Sequence, residues 1–276
     1  MLRAGCMKKL FQFVMMFLFC LFATCCVTPT YVEQPKQDKQ SLISNINDST
    51  IALIIDEQSD APSIRAYCAG VWVNKNTILT AAHCVEDAGK PEIQEEDETI
   101  MLLKELLTSK IWDPTNQPVT YITRNDAFDK NNVNVNLHQT FPANGIVAAF
   151  NKEIDLALIK SNTSSTHSTV SLSTQTMTTG DDVFCVGHSL GLVWSYSEGR
   201  ISQTRIMKGA NSFDYKVFQI SIPVAMGNSG GGAFNEKGNL IGIMSYYMPA
   251  GEDLAFFVHV DVIRKFLLDH NKELNR

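Results

Sequence analysis

Short runs of β-favouring residues recur along most of the chain: Ile51–Ile55, Ala69–Val73, Thr77–Thr80, Val119–Thr123, Ile146–Phe150, Leu156–Lys160, Asp182–Val186, Gly199–Gln203, Val217–Ile222, Leu240–Ser245 and Leu254–Val260. Gly, Asn, Asp or Pro punctuates most of them, the pattern of many short strands joined by turns. Such spacing points to an all-β sandwich or barrel, and neither half shows the strand–helix alternation of a parallel α/β sheet. No solenoid-type repeat is present. Two segments depart from the pattern. Glu95–Ser109 predicts a helix with an acidic first turn, which suits a helix amino terminus. Val260–Lys272 places Val262, Ile263, Phe266 and Leu267 on one helical face and predicts a docking helix at the carboxyl end.

Ahead of the first strand the pattern changes twice. Arg3, Lys8 and Lys9 precede Leu10–Thr24, where Gln12 is the one strongly polar side chain. Fifteen residues of helix span about 22 Å, short of the roughly 30 Å hydrocarbon core, so residues 1–25 read as a secretory signal rather than a spanning anchor. The segment ends in Phe-Ala-Thr-Cys-Cys, which offers either an ordinary small-residue cleavage site or a lipobox-like site with the lipid on Cys25 or Cys26. The expectation is export to the periplasm, the cell envelope or the medium, with a membrane touched only through such a lipid. Residues 26–48 are polar, contain proline and show no periodic apolar face, so they read as a flexible tether. The folded domain is expected over residues 49–276.

Of the 276 residues 45% are hydrophobic and 19% charged, which suits one globular unit or two small barrels sharing a core. Net charge is −6; beyond the leader, 20 bases face 29 acids, a balance of −9. A nucleic-acid surface should be basic, so that partner class is excluded. Four of the seven cysteines, Cys6, Cys20, Cys25 and Cys26, fall in the leader or directly after it, leaving Cys68, Cys84 and Cys185. In an oxidising compartment the arithmetic is one disulfide and one buried thiol.

Two serines compete for a nucleophile's role. Ser189 lies in Val-Gly-His-Ser-Leu-Gly (186–191), and Ser229 lies in Met-Gly-Asn-Ser-Gly-Gly-Gly (226–232). A serine attacking a carbonyl needs backbone N–H groups brought together by a tight turn, and the glycines around Ser229 allow one. It also needs a base, which His83 in Thr-Ala-Ala-His-Cys supplies, and a carboxylate to orient that base, which Asp155 in Asp-Leu-Ala-Leu supplies.

Those three motifs, in the order His, Asp, Ser, resemble the trypsin-like (chymotrypsin-fold) serine peptidases over roughly residues 50 to 270. The Gly-Asn-Ser-Gly-Gly form is similar to bacterial HtrA-type and glutamyl-endopeptidase-type members. The resemblance implies two antiparallel six-stranded β-barrels, about residues 49–165 and 170–260, followed by the helix. It implies peptide-bond hydrolysis by Ser229, His83 and Asp155, an oxyanion hole made by the N–H groups of Gly227 and Ser229, polypeptide substrates, and no metal or organic cofactor. It further implies a disulfide between Cys68 and Cys84 that pins the histidine loop, and a serine at Ser245 that supports the aspartate. The specificity pocket would fall on Pro223, Val224, Ser245, Tyr246, Tyr247 and Ala255; it carries no charge, and a preference for small or aliphatic side chains follows. Met244 stands where glutamyl-specific members use histidine. The activation ion pair of digestive members cannot form, because position 228 is asparagine. No carboxyl-terminal peptide-binding (PDZ) domain is expected, and the oligomeric state is left open.

Other readings remain beside this one. An α/β-hydrolase would put a helix after Ser189, where Gly191, Gly199 and β-favouring residues stand instead; Asp214 or Asp253 with His259 would nominally complete its triad. A binding or chaperone module could keep the fold without turnover. His138, His167, His188, His259 and His270 show no metal-ligand spacing, Cys185 reads as a core thiol, and the acidic stretch Glu92–Glu98 reads as solvated surface.

Overall fold

The computed structural model describes residues 38–57, 63–90, 112–128, 143–163, 166–209, 214–248 and 253–271. The leader with Cys25 and Cys26, the expected helix Glu95–Ser109, the acidic stretch Glu92–Glu98 and His138 lie outside them. Among the described residues no helix is long and apolar enough to cross a membrane.

β1 (Thr50–Glu57), β2 (Ser63–Asn74), β3 (Thr77–Thr80), β4 (Pro118–Thr123), β5 (Ala143–Asn151) and β6 (Leu156–Ser161) close a barrel in the order β1-β2-β3-β6-β5-β4. β7 (Asp182–Gly187), β8 (Ser195–Lys208), β9 (Asp214–Ser221), β10 (Gly232–Phe234), β11 (Leu240–Tyr247) and β12 (Leu254–His259) close a second in the order β10-β11-β12-β9-β8-β7. All pairings between these strands are antiparallel. The all-β architecture of two six-stranded barrels is therefore the one expected.

β1 and β6 read as nearly unbroken apolar runs because each of their faces enters a different core. Along β1 and β6, Ile51, Leu53, Ala157 and Ile159 fill the first barrel with Trp72, Ile78 and Tyr121. Their alternating neighbours Ala52, Ile54, Leu156 and Leu158 join a second cluster with Val186, Leu240, Ile243 and Val258 from the other barrel. A third cluster, with Val183, Cys185, Phe218, Ile220 and Phe257, fills the second barrel. Side chains alternate at a period of two along a strand, so a strand lying between two cores must be apolar at every position. Cys185 is the core thiol expected, and burial pushes its pKa up to about 12.

Helices seal the shared cluster. α1 is Lys39–Asp48, the short α2 is Arg124–Ala127 and α3 is Val260–Asp269. α3 buries Val260, Ile263 and Phe266, and His259 Nδ1 accepts the Asp261 N–H at its start. α1 corrects the sequence reading, which assigned residues 26–48 to a tether. Leu42 and Ile46, one helical turn apart, are 5% and 2% exposed within the shared cluster. The hydroxyls of Ser49 and Thr50 donate to the Ile46 carbonyl and close the helix end. Its three apolar residues, Leu42, Ile43 and Ile46, stand among seven polar ones, too few to hold an isolated ten-residue helix; tertiary burial makes this helix.

Ile46→Ala is accordingly expected to lower stability by about 2–5 kcal/mol, as for other buried large-to-small changes. Urea unfolding should show a lower midpoint at unchanged slope; an unchanged midpoint would return residues 39–48 to the tether.

Candidate active site

The histidine is placed by a strand end and a covalent tie. After β3, Ala82–Cys84 form a single 3₁₀ turn. Cys84 is bonded to Cys68 in β2, and the Tyr67 hydroxyl donates to the Cys84 carbonyl at 2.9 Å. The bridge closes a sequence separation of 16, worth about 3 kcal/mol in the chain-entropy account. The grouping of Cys68, Cys84 and His83, whose ligand atoms lie within 4.8 Å, offers no metal site in this form, because the two sulfurs are bonded to each other.

Asp155 ends the turn between β5 and β6. Asn151 Oδ1 accepts the N–H groups of Glu153 and Ile154, and Asp155 follows with φ +53°, a left-handed conformation that asparagine and aspartate tolerate better than most residues. Its carboxylate takes four contacts from three donor groups. Oδ1 accepts the His83 backbone N–H at 3.0 Å, His83 Nδ1 lies 3.1 and 3.0 Å from Oδ1 and Oδ2, and the Ser245 hydroxyl donates to Oδ2 at 2.5 Å. Ser245 belongs to β11, so the carboxylate is held from both barrels.

Burial penalises the Asp155 anion, yet the hydrogen bonds and charge of His83, with the Ser245 hydroxyl, win and hold its pKa below the usual value of 3.8. Burial also favours neutral His83, but Asp155, with Glu86 adding to it, raises its pKa above 6.5. An ionised carboxylate accepting from Nδ1 fixes the tautomer and leaves the Nε2 lone pair free to take a proton.

Ser229 lines the same cavity as His83 and Asp155, about 450 Å³, together with Glu86, Lys152, Ser245, Tyr246 and Tyr247. The Ala69 N–H of β2 donates to the Ser229 carbonyl at 2.7 Å, which locks the Ser229 loop of one barrel onto the other. Gly230 has φ +78°, and a Cβ there would stand 2.2 Å from both the Ala69 carbonyl and Thr80 Oγ1. Gly227 has φ +97°, and a Cβ there would stand 2.1 Å from the His188 carbonyl. Among the described residues neither the Gly227 nor the Ser229 N–H is spent on another group. The Leu190 N–H donates to the Met226 carbonyl at 2.7 Å. Since the carbonyl and N–H of a trans peptide point opposite ways, that bond aims the Gly227 N–H away from residue 190.

Ser189 is thus structural. Its hydroxyl accepts Asn228 Nδ2 at 2.6 Å, and residues 189–191 form the turn that carries Leu190. His259 caps α3 and meets Phe218 at a tilt, and among the described residues no hydrogen bond or ion pair joins it to Ser189, Asp214 or Asp253. Of the expected pocket residues, Ser245, Tyr246 and Tyr247 line the cavity, while Pro223, Val224 and Ala255 are not among its lining residues. Ala255 is fully buried opposite Tyr247 in the β11–β12 register, with Val224 and Tyr247 packed on the same core. Sequence reasoning missed Glu86 and Lys152, an ion pair of 2.7 Å on the cavity wall. Their cue is position: each lies three residues from a site residue, His83 or Asp155.

Comparison with known proteins agrees with this geometry. Serine protease HtrA-like proteins of Staphylococcus aureus strains USA300 and NCTC 8325 are each 30% identical over 155 residues, covering 51% of this chain and 20% of theirs. The chain therefore spans about one fifth of the length of those relatives. The active form of the Rv3671c protease from M. tuberculosis shares the fold with a TM-score of 0.58 at 14% identity, covering 85% of this chain and 86% of that one. The serine endoprotease of Yersinia pestis does so with a TM-score of 0.54 at 17% identity, covering 84% and 65%. The family model for a trypsin-like peptidase domain matches residues 68–243. Because that match runs from Cys68, which pins the His83 turn, into β11 and takes in Asp155 and Ser229 on the way, this chain belongs to the family of trypsin-like peptidase domains.

Proposed function

We propose that the protein is a serine endopeptidase that hydrolyses peptide bonds through an acyl-enzyme. The observation that carries this reading is the hydrogen-bonded sequence Ser245–Asp155–His83, opening on a cavity that also holds Ser229 beside two uncommitted backbone N–H groups. Ser229 Oγ attacks the carbonyl carbon while His83 Nε2 takes its proton. The resulting imidazolium is stabilised by the Asp155 anion and donates the proton to the departing amine. The N–H groups of Gly227 and Ser229 face the oxyanion, each worth about 10²–10³ in kcat in comparable enzymes. Water then repeats the sequence on the acyl-enzyme, with His83 as base again.

Small or aliphatic side chains are the proposed preference before the scissile bond. Tyr247 stands at the cavity wall and Ala255 is packed behind it, with no charged group at either position. Export is proposed from the leader pattern and is supported by the Cys68–Cys84 disulfide, which persists in oxidising compartments. A lipid on Cys25 or Cys26 would tether the domain to a membrane.

A fluorophosphonate should label Ser229 in the wild-type chain and in Ser189→Ala, and Ser229→Ala should lose both the label and cleavage of unfolded casein; full casein cleavage by Ser229→Ala defeats the assignment. The base must be neutral to act, and a raised pKa keeps His83 protonated to higher pH. The acid limb of kcat/KM should therefore fall at a pH above 6.5, the ordinary imidazole value. Asp155→Asn should move that limb down and lower kcat by about 10⁴-fold; a limb at or below 6.5 in the wild type would show that Asp155 does not govern the base.

A further inference from the structure

Gly227 can present its N–H to an oxyanion only if the peptide around it is held, and the structure shows where the hold originates. His188, the residue after β7, is fully buried. Its backbone N–H donates to the Gly227 carbonyl at 3.2 Å, and its carbonyl accepts the Gly191 N–H at 2.9 Å, closing the turn that presents Leu190 to Met226. Both ring nitrogens are engaged as well. Nδ1 accepts the Trp194 N–H at 3.0 Å, so it carries no proton, and Nε2 therefore donates to the Ile51 carbonyl of β1 at 3.0 Å. One neutral tautomer satisfies both bonds.

Trp194 extends the tie. Its indole meets the His188 ring edge-on at 4.9 Å, and its Nε1 donates to the carbonyls of Asn47 and Thr50 at 3.1 and 3.2 Å. Leu190 and Trp194 both hold left-handed backbone conformations, φ +55° and +54°, which residues without special tolerance keep only where neighbours impose them. The end of α1 and the start of β1, in the first barrel, thus reach the oxyanion peptide of the second barrel through two side chains.

We propose that His188 is a positioning residue for the oxyanion site: it joins Ile51 to the Gly227–Asn228 peptide directly and to the Met226–Gly227 peptide through the turn that carries Leu190, and so holds the Gly227 N–H in its donating orientation. This role rests on the peptidase reading. It replaces the terminal ion pair that Asn228 cannot make, and it makes the junction of α1 and β1 part of the catalytic support. The imidazole stays neutral at working pH, because burial drives its pKa down to about 4 against the opposing bond to Ile51.

Two variants separate the bonds. The amide of His188→Gln reaches the Nε2 position and can donate to Ile51. That of His188→Asn reaches only the Nδ1 position and keeps the acceptor for Trp194. Normalised to folded protein, His188→Asn should lose about tenfold or more in kcat at unchanged KM, and His188→Gln should recover most of it. Wild-type kcat in both, or a change confined to KM, overturns the proposal. Should either variant fail to fold, the wild-type chain answers by reciprocity. Amide hydrogen exchange at His188 and Trp194 should slow when a small peptidyl boronate fills the oxyanion site, and unchanged exchange at both overturns the proposal. A wild-type chain that neither binds the boronate nor is labelled at Ser229 defeats the peptidase reading instead.

Discussion

The carboxylate of Asp155 is the point at which the two barrels have to agree. Its side chain is 16% exposed, and an anion so far removed from water is costly unless donors surround it. Two of those donors come from His83, on the first barrel, and the third is Ser245, on the second. The same groups that make the anion tolerable orient the imidazole and fix its tautomer. Stability and base chemistry are therefore one arrangement.

The architecture makes that agreement necessary. Each barrel closes its own hydrogen-bonding edges, so no strand passes from one to the other. What joins them is a shared apolar cluster and a few directed bonds: Ala69 to the Ser229 carbonyl, Ser245 to Asp155, and His188 to the Ile51 carbonyl. The cluster supplies most of the association, being non-directional and proportional to buried area. The bonds supply register, because a displacement of one ångström would break them and misplace Ser229 relative to His83. α1 belongs to this junction, capping the shared cluster with Leu42 and Ile46 and accepting the Trp194 indole at its carboxyl end.

Much of this was legible in the chain. β1 and β6 were legible because their alternate residues serve two cores and leave unbroken apolar runs, whereas the largely exposed β8 showed only its Gly199–Gln203 stretch. His83, Asp155 and Ser229 stood out because each sits in a short motif, with glycines around Ser229, that resembles the trypsin-like peptidases. What escaped depends on contacts distant in sequence. β10 reads as a glycine-rich turn until β7 and β11 pair with it. α1 is ten residues long with three apolar side chains, and it folds because the shared cluster covers Leu42 and Ile46. Val-Gly-His-Ser-Leu-Gly matches a nucleophile pattern, yet its glycines and Ser189 serve the turn that holds Met226 and Asn228. The specificity pocket was the least legible part, because Val224 and Ala255 pack with Tyr247 on one core instead of lining the cavity, and Pro223 is exposed outside it.

On the proposed reading, two barrels registered through Asp155 present Ser229 and a prepared pair of N–H groups to one carbonyl. A crystal structure of the wild-type chain trapped with a peptidyl boronate should show a covalent bond from Ser229 Oγ to boron, with one boron-bound oxygen about 2.7–3.1 Å from the nitrogens of both Gly227 and Ser229. An adduct on another residue, or a boronate oxygen that meets neither N–H, would contradict it.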